Sequence, residues 1–185
     1  MKTYSVDHHE KGLIEYSDKK RYMWLSSLAL PLLPLTGIWL FFKFNVEWVL
    51  VIPLLFNYIV FPILDFLVGS DQNNPPEEIV EQLEEDNYYR NLTIATLPLH
   101  FGVLFTIVWF VGTQNLSILA MIVMAITAGV YSGLGINTAH ELGHKKTELE
   151  RFLAKIVLAV PAYGHFCIEH NRGHHKDVAT PEDPA

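Results

Sequence analysis

Four apolar stretches, each about as long as a membrane-spanning helix, are the feature that most constrains how this chain can fold. They lie at about residues 23–42, 47–68, 92–112 and 116–139 of the 185-residue chain. A helix needs roughly 20 mostly apolar residues to cross the hydrocarbon core of a bilayer. Half of all residues are hydrophobic, which is high for a soluble domain of this length. We therefore predict an all-α integral membrane helical bundle.

Between the second and third stretches, the sequence predicts a short helix at the membrane surface. The turn Asn73-Asn74-Pro75-Pro76 precedes an acidic segment, and proline followed by acidic residues is typical of a helix N-terminus. Ile79, Val80 and Leu83 fall on one face of such a helix, which would give it an apolar side.

Nine histidines occur in the chain, and five of them form two tight groups. The first group is His140 and His144, and the second is His170, His174 and His175. Residues four apart lie on one face of a helix, one turn from each other, so each group offers two imidazoles to one metal ion. Clustered ionisable residues in membrane proteins are costly and usually functional. We therefore predict that these five histidines are metal ligands, and no catalytic side chain beyond the metal centre.

The apolar segment 152–168 separates the two histidine groups. It is short, contains Lys155 and is interrupted by Pro161 and Gly164. If this segment crossed the bilayer, about 30 Å of hydrocarbon would separate the two groups, and one metal centre could not use both. We therefore predict that the segment is re-entrant or lies along the interface.

The first histidine group also matches a zinc-protease pattern. His140-Glu141-Leu142-Gly143-His144 fits H-E-x-x-H, in which the glutamate is the general base for a metal-bound water. A single catalytic zinc takes three protein ligands, so five clustered histidines fit a two-metal site better. An intramembrane zinc protease remains an alternative, as does a non-enzymatic membrane protein such as a metal sensor or a partner-binding subunit.

The distribution of charge predicts the orientation of the chain. Cytoplasmic loops of membrane proteins carry an excess of Lys and Arg. With the N-terminus inside, the polar segments between the spans place nine basic residues on the cytoplasmic side and one, Lys43, outside. The N-terminus and both histidine groups are thus predicted to be cytoplasmic. The net charge of −7 argues against nucleic acid as a partner.

Two motifs in the second half of the chain resemble those of a known family. Residues 137–146 read N-T-A-H-E-L-G-H-K-K, and residues 163–181 read Y-G-H-F-C-I-E-H-N-R-G-H-H-K-D-V-A-T-P. Together with residues 73–78, they closely resemble the bacterial membrane-bound alkane monooxygenases, which lie in the superfamily of membrane fatty-acid desaturases and hydroxylases. Xylene monooxygenases and the desaturases share only looser histidine boxes.

The resemblance implies an inner-membrane enzyme with six spanning helices and a non-haem di-iron centre. It implies hydroxylation of the terminal carbon of medium- to long-chain n-alkanes with O₂, which gives 1-alkanols. The alkane would come from the lipid phase, and the electrons from rubredoxin, which an NADH-dependent rubredoxin reductase reduces. By this match, the two histidine groups are the first and second histidine boxes. A related desaturase or xylene monooxygenase is the nearest alternative.

The resemblance also implies that residues 1–185 are the N-terminal part of a longer protein. The family has a third histidine box and a further ligating histidine, and neither occurs within these residues. We therefore expect residues 1–185 to be a single portion of the di-iron domain, with about four of its spanning helices and the re-entrant or interfacial segment. This portion would be incomplete at the C-terminus and inactive alone.

Four further side chains are candidates for the surroundings of the metal ligands. Glu141 and Glu169 are adjacent to histidines and could hold their second ring nitrogens, although ordinary interfacial carboxylates would look the same. His165 precedes the second group by five positions, and Asp65 lies near the end of the second apolar stretch. Asp65 would be either a polar contact near the metal site or a residue that marks the interface. Any role of the four residues at the metal would be as partners of ligands rather than as ligands.

Overall fold

The structure, a computed structural model, describes residues 2–71, 73–145 and 147–183, apart from the side chains of Cys167, Asn171 and Arg172. Lys146, one of the basic residues counted for the orientation, lies outside the described residues. The chain divides into two compact units, Met1–Leu99 and His100–Ala185, and each unit has its own packing.

Helices make up most of both units. In the described part of the chain they are α1 (Met23–Phe44), α2 (Glu47–Val68), α3 (Glu77–Glu84), α4 (Asn87–Thr113), α5 (Ile118–Gly143), α6 (Glu148–Ala159) and α7 (residues 166–177). Four of them, α1, α2, α4 and α5, are long and apolar enough to cross a membrane. The predicted helical membrane bundle is thus confirmed, with the four spans placed to within about five residues at each end.

Helices α1 and α2 form a tight antiparallel pair in the first unit. Asn45 between them is left-handed, at φ 53°, and its N–H donates to the carbonyl oxygen of Phe41 at 2.7 Å. Such a left-handed residue after a helix satisfies a terminal carbonyl and reverses the chain. A Cβ atom at Gly37 would lie 3.3 Å from the ring of Pro53, so glycine at this position lets the two helices approach closely.

A β-hairpin precedes the first helix, and the sequence reasoning did not predict it. Strands β1 (Lys2–His8) and β2 (Gly12–Asp18) pair antiparallel, with Tyr4 opposite Tyr16. Gly12 has a φ of +72° where the turn enters β2, a conformation that glycine adopts without steric cost. The N-terminal residues thus form a folded element outside the membrane spans.

Helix α3 packs on this hairpin. Its Ile79 is completely buried, and the side-chain amide of Gln82 donates to the carbonyl oxygen of Ser5 at 2.9 Å. Lys11 of the hairpin turn forms an ion pair with Glu78. The predicted helix after Pro76 is therefore confirmed, and Ile79 of its apolar side packs on protein, whereas Val80 is exposed. Its position at the membrane surface stays a prediction.

One buried carboxylate, that of Asp86, joins the hairpin to the start of α4. The guanidinium of Arg21 donates to its two oxygens at 2.5 and 3.3 Å, and the ammonium of Lys2 lies 3.0 Å away. The Tyr4 hydroxyl and the backbone N–H of Tyr88 also donate to it. We call Asp86, Arg21, Lys2 and Tyr4 the Asp86 cluster.

The electrostatics of the Asp86 cluster are those of a strong, enclosed ion pair. The Arg21 guanidinium holds the pKa of the Asp86 carboxyl well below its usual range. Burial, together with the hydrogen bond to that carboxylate, raises the pKa of Tyr4 to about 12. Charge-assisted hydrogen bonds of this kind are about twice as strong as neutral ones. The cluster therefore fixes the hairpin to the helical part of its unit.

In the second unit, α6 packs along α5. The contact buries Ala139 and Leu142 of α5 with Ala154 and Leu158 of α6. Thr147 caps the N-terminus of α6, where its hydroxyl accepts the N–H of Glu150. At 12 residues, α6 is about 18 Å long, too short to cross a hydrocarbon core of about 30 Å.

Candidate metal centre

The first histidine group lies at the C-terminal end of α5. This helix has 26 residues, which gives it a length of about 39 Å, so it is longer than a hydrocarbon core of about 30 Å is thick. On the last turns, the side that carries Ala139 and Leu142 is buried against α6, whereas His140 is half-buried and His144 exposed. Because one side of α5 packs against α6, both imidazoles lie on a different side of the helix.

The second group lies in α7, where the helix changes its winding. A π-helical turn, Glu169–His174, is flanked by short α-helical turns at Phe166–Ile168 and His175–Asp177. The wider π turn hydrogen-bonds residues five apart and often occurs at functional sites. As a result, the Nε2 atoms of His170 and His175 lie 3.0 Å apart.

This geometry differs from the spacing expected for a regular α-helix. The sequence predicted that His170 and His174, four residues apart, lie on one face of a regular helix. Instead, His175 faces His170, while His174 stacks on His170 with ring centroids 5.4 Å apart and its Nδ1 faces Asp183. The inserted π turn is the physical reason, because it rotates each following residue relative to an α-helix.

The two groups come together at one place. Ring centroids lie 4.3 Å apart for His140 and His170, and 4.8 Å apart for His144 and His175. Ring nitrogens of His140, His144 and His170 all lie within 4.8 Å of one another. We call the set of five imidazoles the histidine cluster. Since both groups contribute to it, the segment between them does not hold them on opposite sides of a bilayer.

The distances within the histidine cluster fit the binding of a metal. The Nε2 atoms of His140 and His144 are 3.0 Å apart, and those of His170 and His175 have the same separation. Two nitrogens each about 2.1 Å from one ion, at about 90° to each other, lie about 3.0 Å apart. One such pair would also fit an N–H···N hydrogen bond. Two pairs in contact with each other favour shared cations, and nitrogen ligands of this type suit iron, copper or zinc.

The pKa values of two histidines in the cluster also favour metal binding. Burial lowers the pKa of His144 and of His170 below the usual 6.5, and the neighbouring imidazoles, first that of His140 and then that of His175, lower it further. Only the neutral imidazole binds a metal. The surroundings therefore hold these two side chains in the form that a metal ion requires.

Aromatic rings fix one side of the cluster. Phe166 stacks on His170 with ring centroids 4.8 Å apart and an interplanar angle of 11°, and it also contacts His140 at 5.8 Å. Tyr163 packs against Phe166 at 5.2 Å. These contacts restrict the rotation of the His170 ring and cover it with apolar surface.

The four residues predicted to surround the metal ligands lie in different environments. Glu169 and His165 face each other at 3.5 Å, and both side chains are more than half exposed. Glu141 is exposed next to the first group, and Asp65 is an exposed residue of α2 in the first unit. Their roles around a metal stay predictions.

The contact of the Asp183 carboxylate with the cluster was not predicted from the sequence. Both of its oxygens lie 3.0 Å from Nδ1 of His174. The residues Thr180-Pro181-Glu182-Asp183 before Pro184 are typical of a chain reversal. This signal indicates a turn, and a turn is what returns the acidic side chain to the second histidine group.

Comparisons with known proteins agree with these observations. A protein-family model described as "Fatty acid desaturase" matches residues 116–185. Two proteins named alkane 1-monooxygenase, from Pseudomonas putida and Ectopseudomonas oleovorans, are each 51% identical to the chain over 92% of its length. An alkane 1-monooxygenase from Acinetobacter baylyi is 38% identical over 91% of the chain. The chain spans 42–43% of the length of these relatives.

Four helices long and apolar enough to cross a membrane, and a histidine cluster at the end of one of them, agree with the fatty acid desaturase model that matches residues 116–185. Over the part of them that it spans, the chain is a homologue of the bacterial alkane 1-monooxygenases. The resemblance read from the two histidine motifs is thereby confirmed.

Proposed function

We propose that the full-length protein is a membrane non-haem di-iron monooxygenase that hydroxylates the terminal carbon of medium- to long-chain n-alkanes. The observation that carries this proposal is the convergence of two histidine groups at the end of a spanning helix. The relatives named alkane 1-monooxygenase support the choice of reaction. Because the chain spans less than half of these relatives, we propose that further iron ligands come from outside residues 1–185.

The proposed reaction consumes one alkane, one O₂, two electrons and two protons, and gives one 1-alkanol and one water. One oxygen atom enters the terminal C–H bond and the other leaves as water. Bound iron would supply the activation of O₂, since hard redox chemistry is the part of catalysis that a cofactor carries. The electrons would come from rubredoxin, which a rubredoxin reductase reduces with NADH.

In this proposal, the chain's own residues hold and orient the iron. The five imidazoles are the ligands that the chain provides, and lowered pKa values keep His144 and His170 neutral. Phe166 covers the His170 ring and excludes water from that side. An alkane has no polar group to recognise, so apolar walls and shape would select it, and the membrane spans give access from the lipid phase.

We further propose that the histidine cluster lies on the cytoplasmic side of the bacterial inner membrane. The excess of Lys and Arg before α1 and after α5 supports this orientation. A cytoplasmic site would be accessible to a soluble electron carrier such as rubredoxin.

The geometry favours a two-metal site over the H-E-x-x-H zinc protease. In a protease, Glu141 would act on a metal-bound water, whereas here its side chain is exposed. His170 occupies the space next to His140, with ring centroids 4.3 Å apart. The second histidine group is thus part of the same site.

The test is metal analysis and alkane oxidation with the full-length protein in detergent or nanodiscs. We expect about two irons per chain and conversion of octane to 1-octanol that depends on rubredoxin, its reductase and NADH. His140→Ala should lose both, whereas His9→Ala, which alters an exposed histidine of the hairpin turn, should retain both.

Three results would contradict the proposal. One zinc per chain, with peptide cleavage that Glu141→Gln abolishes, would support the protease. Oxidation of xylene or desaturation of fatty acids without alkane hydroxylation would support the related enzymes. Full iron content and full activity in His140→Ala would overturn the ligand assignment.

A further inference from the structure

Asp183 makes the closest contact between a carboxylate and the histidine cluster in the described part of the chain. Its two oxygens lie 3.0 Å from Nδ1 of His174. The Asp183 side chain is 13% exposed and that of His174 is 31% exposed. A charge-assisted hydrogen bond that is mostly shielded from water is strong and directional, so the contact constrains the His174 ring.

The backbone that brings Asp183 to this place is built from consecutive turns. The N–H of Thr180 donates to the carbonyl oxygen of Asp177 at 3.0 Å, and the N–H of Asp183 donates to that of Thr180 at 3.2 Å. Ala179 adopts a left-handed conformation at φ 63°, which is uncommon for a residue with a Cβ atom. The hydroxyl of Thr180 adds a further bond to the Asp177 carbonyl at 2.6 Å. The chain thus folds back on α7 through a defined path.

The other acidic residues near the cluster do not make this type of contact. Glu169 is 56% exposed and faces His165, and Glu141 is exposed on the surface of α5. Asp183 is therefore the carboxylate with both the contact and the shielding that an orienting partner requires.

We propose that Asp183 is a positioning residue of the metal site, which holds His174 in the tautomer with hydrogen on Nδ1 and leaves Nε2 to bind the metal. The hydrogen bond made by one ring nitrogen of a histidine decides which nitrogen binds a metal. A carboxylate partner also fixes the ring orientation and raises its basicity as a ligand. This inference rests on the metal site of the proposed function, and it does not depend on the reaction.

The tautomer assignment has a geometric consequence. With Nδ1 engaged by Asp183, His174 can bind a metal only through Nε2. His170 and His175 also face each other through their Nε2 atoms. The carboxylate also places a negative charge beside the cations that the cluster would hold. Loss of Asp183 should weaken metal binding through His174, while the other imidazoles stay in place.

The experiment measures iron release from the full-length protein to a ferrous chelator, with iron content as a second readout. Asp183→Asn keeps the size of the side chain and removes its charge. We expect it to release iron about 10- to 100-fold faster, the usual effect of removing a carboxylate behind a metal-bound histidine. Glu182→Gln, which changes the exposed neighbouring carboxylate, is the matched control and should stay within about twofold of the unmodified protein.

A double-variant cycle separates positioning from a general structural role. If Asp183 acts through His174, then Asp183→Asn in a His174→Ala background should add less than about a twofold change. Asp183→Glu, which keeps the charge but lengthens the side chain, should release iron at an intermediate rate. It also serves as the test variant should the asparagine variant fail to fold.

Two outcomes would overturn the inference: unchanged iron release in Asp183→Asn or Asp183→Glu, or a full-sized effect of Asp183→Asn in the His174→Ala background. These outcomes are separable from failure of the proposed function. A protein that binds metal and shows the expected cycle but does not oxidise octane leaves the positioning role intact. A protein that oxidises octane and shows no effect of Asp183 loses only this inference.

Discussion

The Asp86 cluster and the histidine cluster are both polar groups in a largely apolar chain, and they differ in what balances their charge. Around Asp86, the negative charge is matched within the chain by Arg21 and Lys2, and hydrogen bonds from Tyr4 and Tyr88 complete the shell. In the histidine cluster, imidazoles face other imidazoles, and each offers a lone pair.

The difference distinguishes a structural polar group from a binding site. Buried polar groups stabilise a fold when their partners are provided by the fold itself. Nitrogen lone pairs that converge on one place repel one another unless a proton or a cation lies between them, so a cluster of this kind suits a cationic ligand. On this basis, Asp86 is expected to matter for stability and the histidines for metal binding.

The largest expected effect is the loss of a cluster histidine. In the full-length protein, His170→Ala removes the ring that contacts His140, His144 and His175. We expect octane hydroxylation to fall by at least about 100-fold, more than the loss of an outer partner, and iron content to fall with it. The helical circular dichroism of the purified protein should be unchanged. A variant that unfolds instead would mean that the cluster stabilises the fold, as the Asp86 cluster does.

The second effect concerns the Asp86 cluster. Asp86→Ala leaves Arg21 partly buried with only its longer ion pair to Asp18 at 3.9 Å, and we expect a loss of about 2–4 kcal/mol of stability. Thermal unfolding should shift down by several degrees, and the hairpin should become sensitive to protease. Asp7→Ala, at an exposed position of β1, is the matched control. Loss of iron in Asp86→Ala without a change in stability would reverse the assignment of the two clusters.

Acidification should disrupt the two clusters at different pH values. The pKa values of His144 and His170 are lowered from 6.5, so both imidazoles become protonated only at a lower pH than a free imidazole. Iron should thus be released as the pH falls through these lowered pKa values. The pKa of Asp86 lies well below its usual 3.8. Its stabilising contribution is present above about pH 4 and is lost only as the pH falls through the folded-state pKa.

Iron content and protease resistance of the hairpin, measured from pH 7 to pH 3, check this order. On acidification, iron release should begin at a higher pH than hairpin exposure. Simultaneous loss of both would show that the two clusters depend on each other.

The smallest effect is expected at the surface of the hairpin. The ion pair of Lys11 and Glu78 is solvent-exposed on the lysine side, and pairs of this kind contribute little. Lys11→Gln should therefore leave the melting temperature unchanged within error, even though Lys11 and Lys2 both pair with carboxylates. A clear decrease would mean that the hairpin depends on its surface charges as well as on Asp86.

The sequence predicted the membrane spans because hydropathy alone determines them. The four stretches needed only length and apolar content, and the helix after Pro76 needed only its proline and acidic residues. The pairing of His140 with His144 followed from the spacing of a regular helix. In each case the information lies within a few consecutive residues, so no tertiary contact was required.

The hairpin, the π turn and the Asp183 contact were not predicted, and each depends on distant parts of the chain. No secondary structure was predicted for the hairpin residues, although β1 is held by Asp86, 84 residues from Lys2. The π turn of Glu169–His174 has no signal in the periodicity of the sequence. Asp183 returns to His174 through a turn whose direction the sequence does not specify.

The π turn between Glu169 and His174 also constrains how this stretch can change in evolution. A π turn contains one residue more than the α-helical turn that it replaces. Deleting a single residue such as Gly173 would relax the stretch into an ordinary helix and rotate the last histidine away from its neighbour. Insertions and deletions should therefore be far more harmful here than substitutions. The number of residues between Glu169 and His174 is itself a requirement of the site.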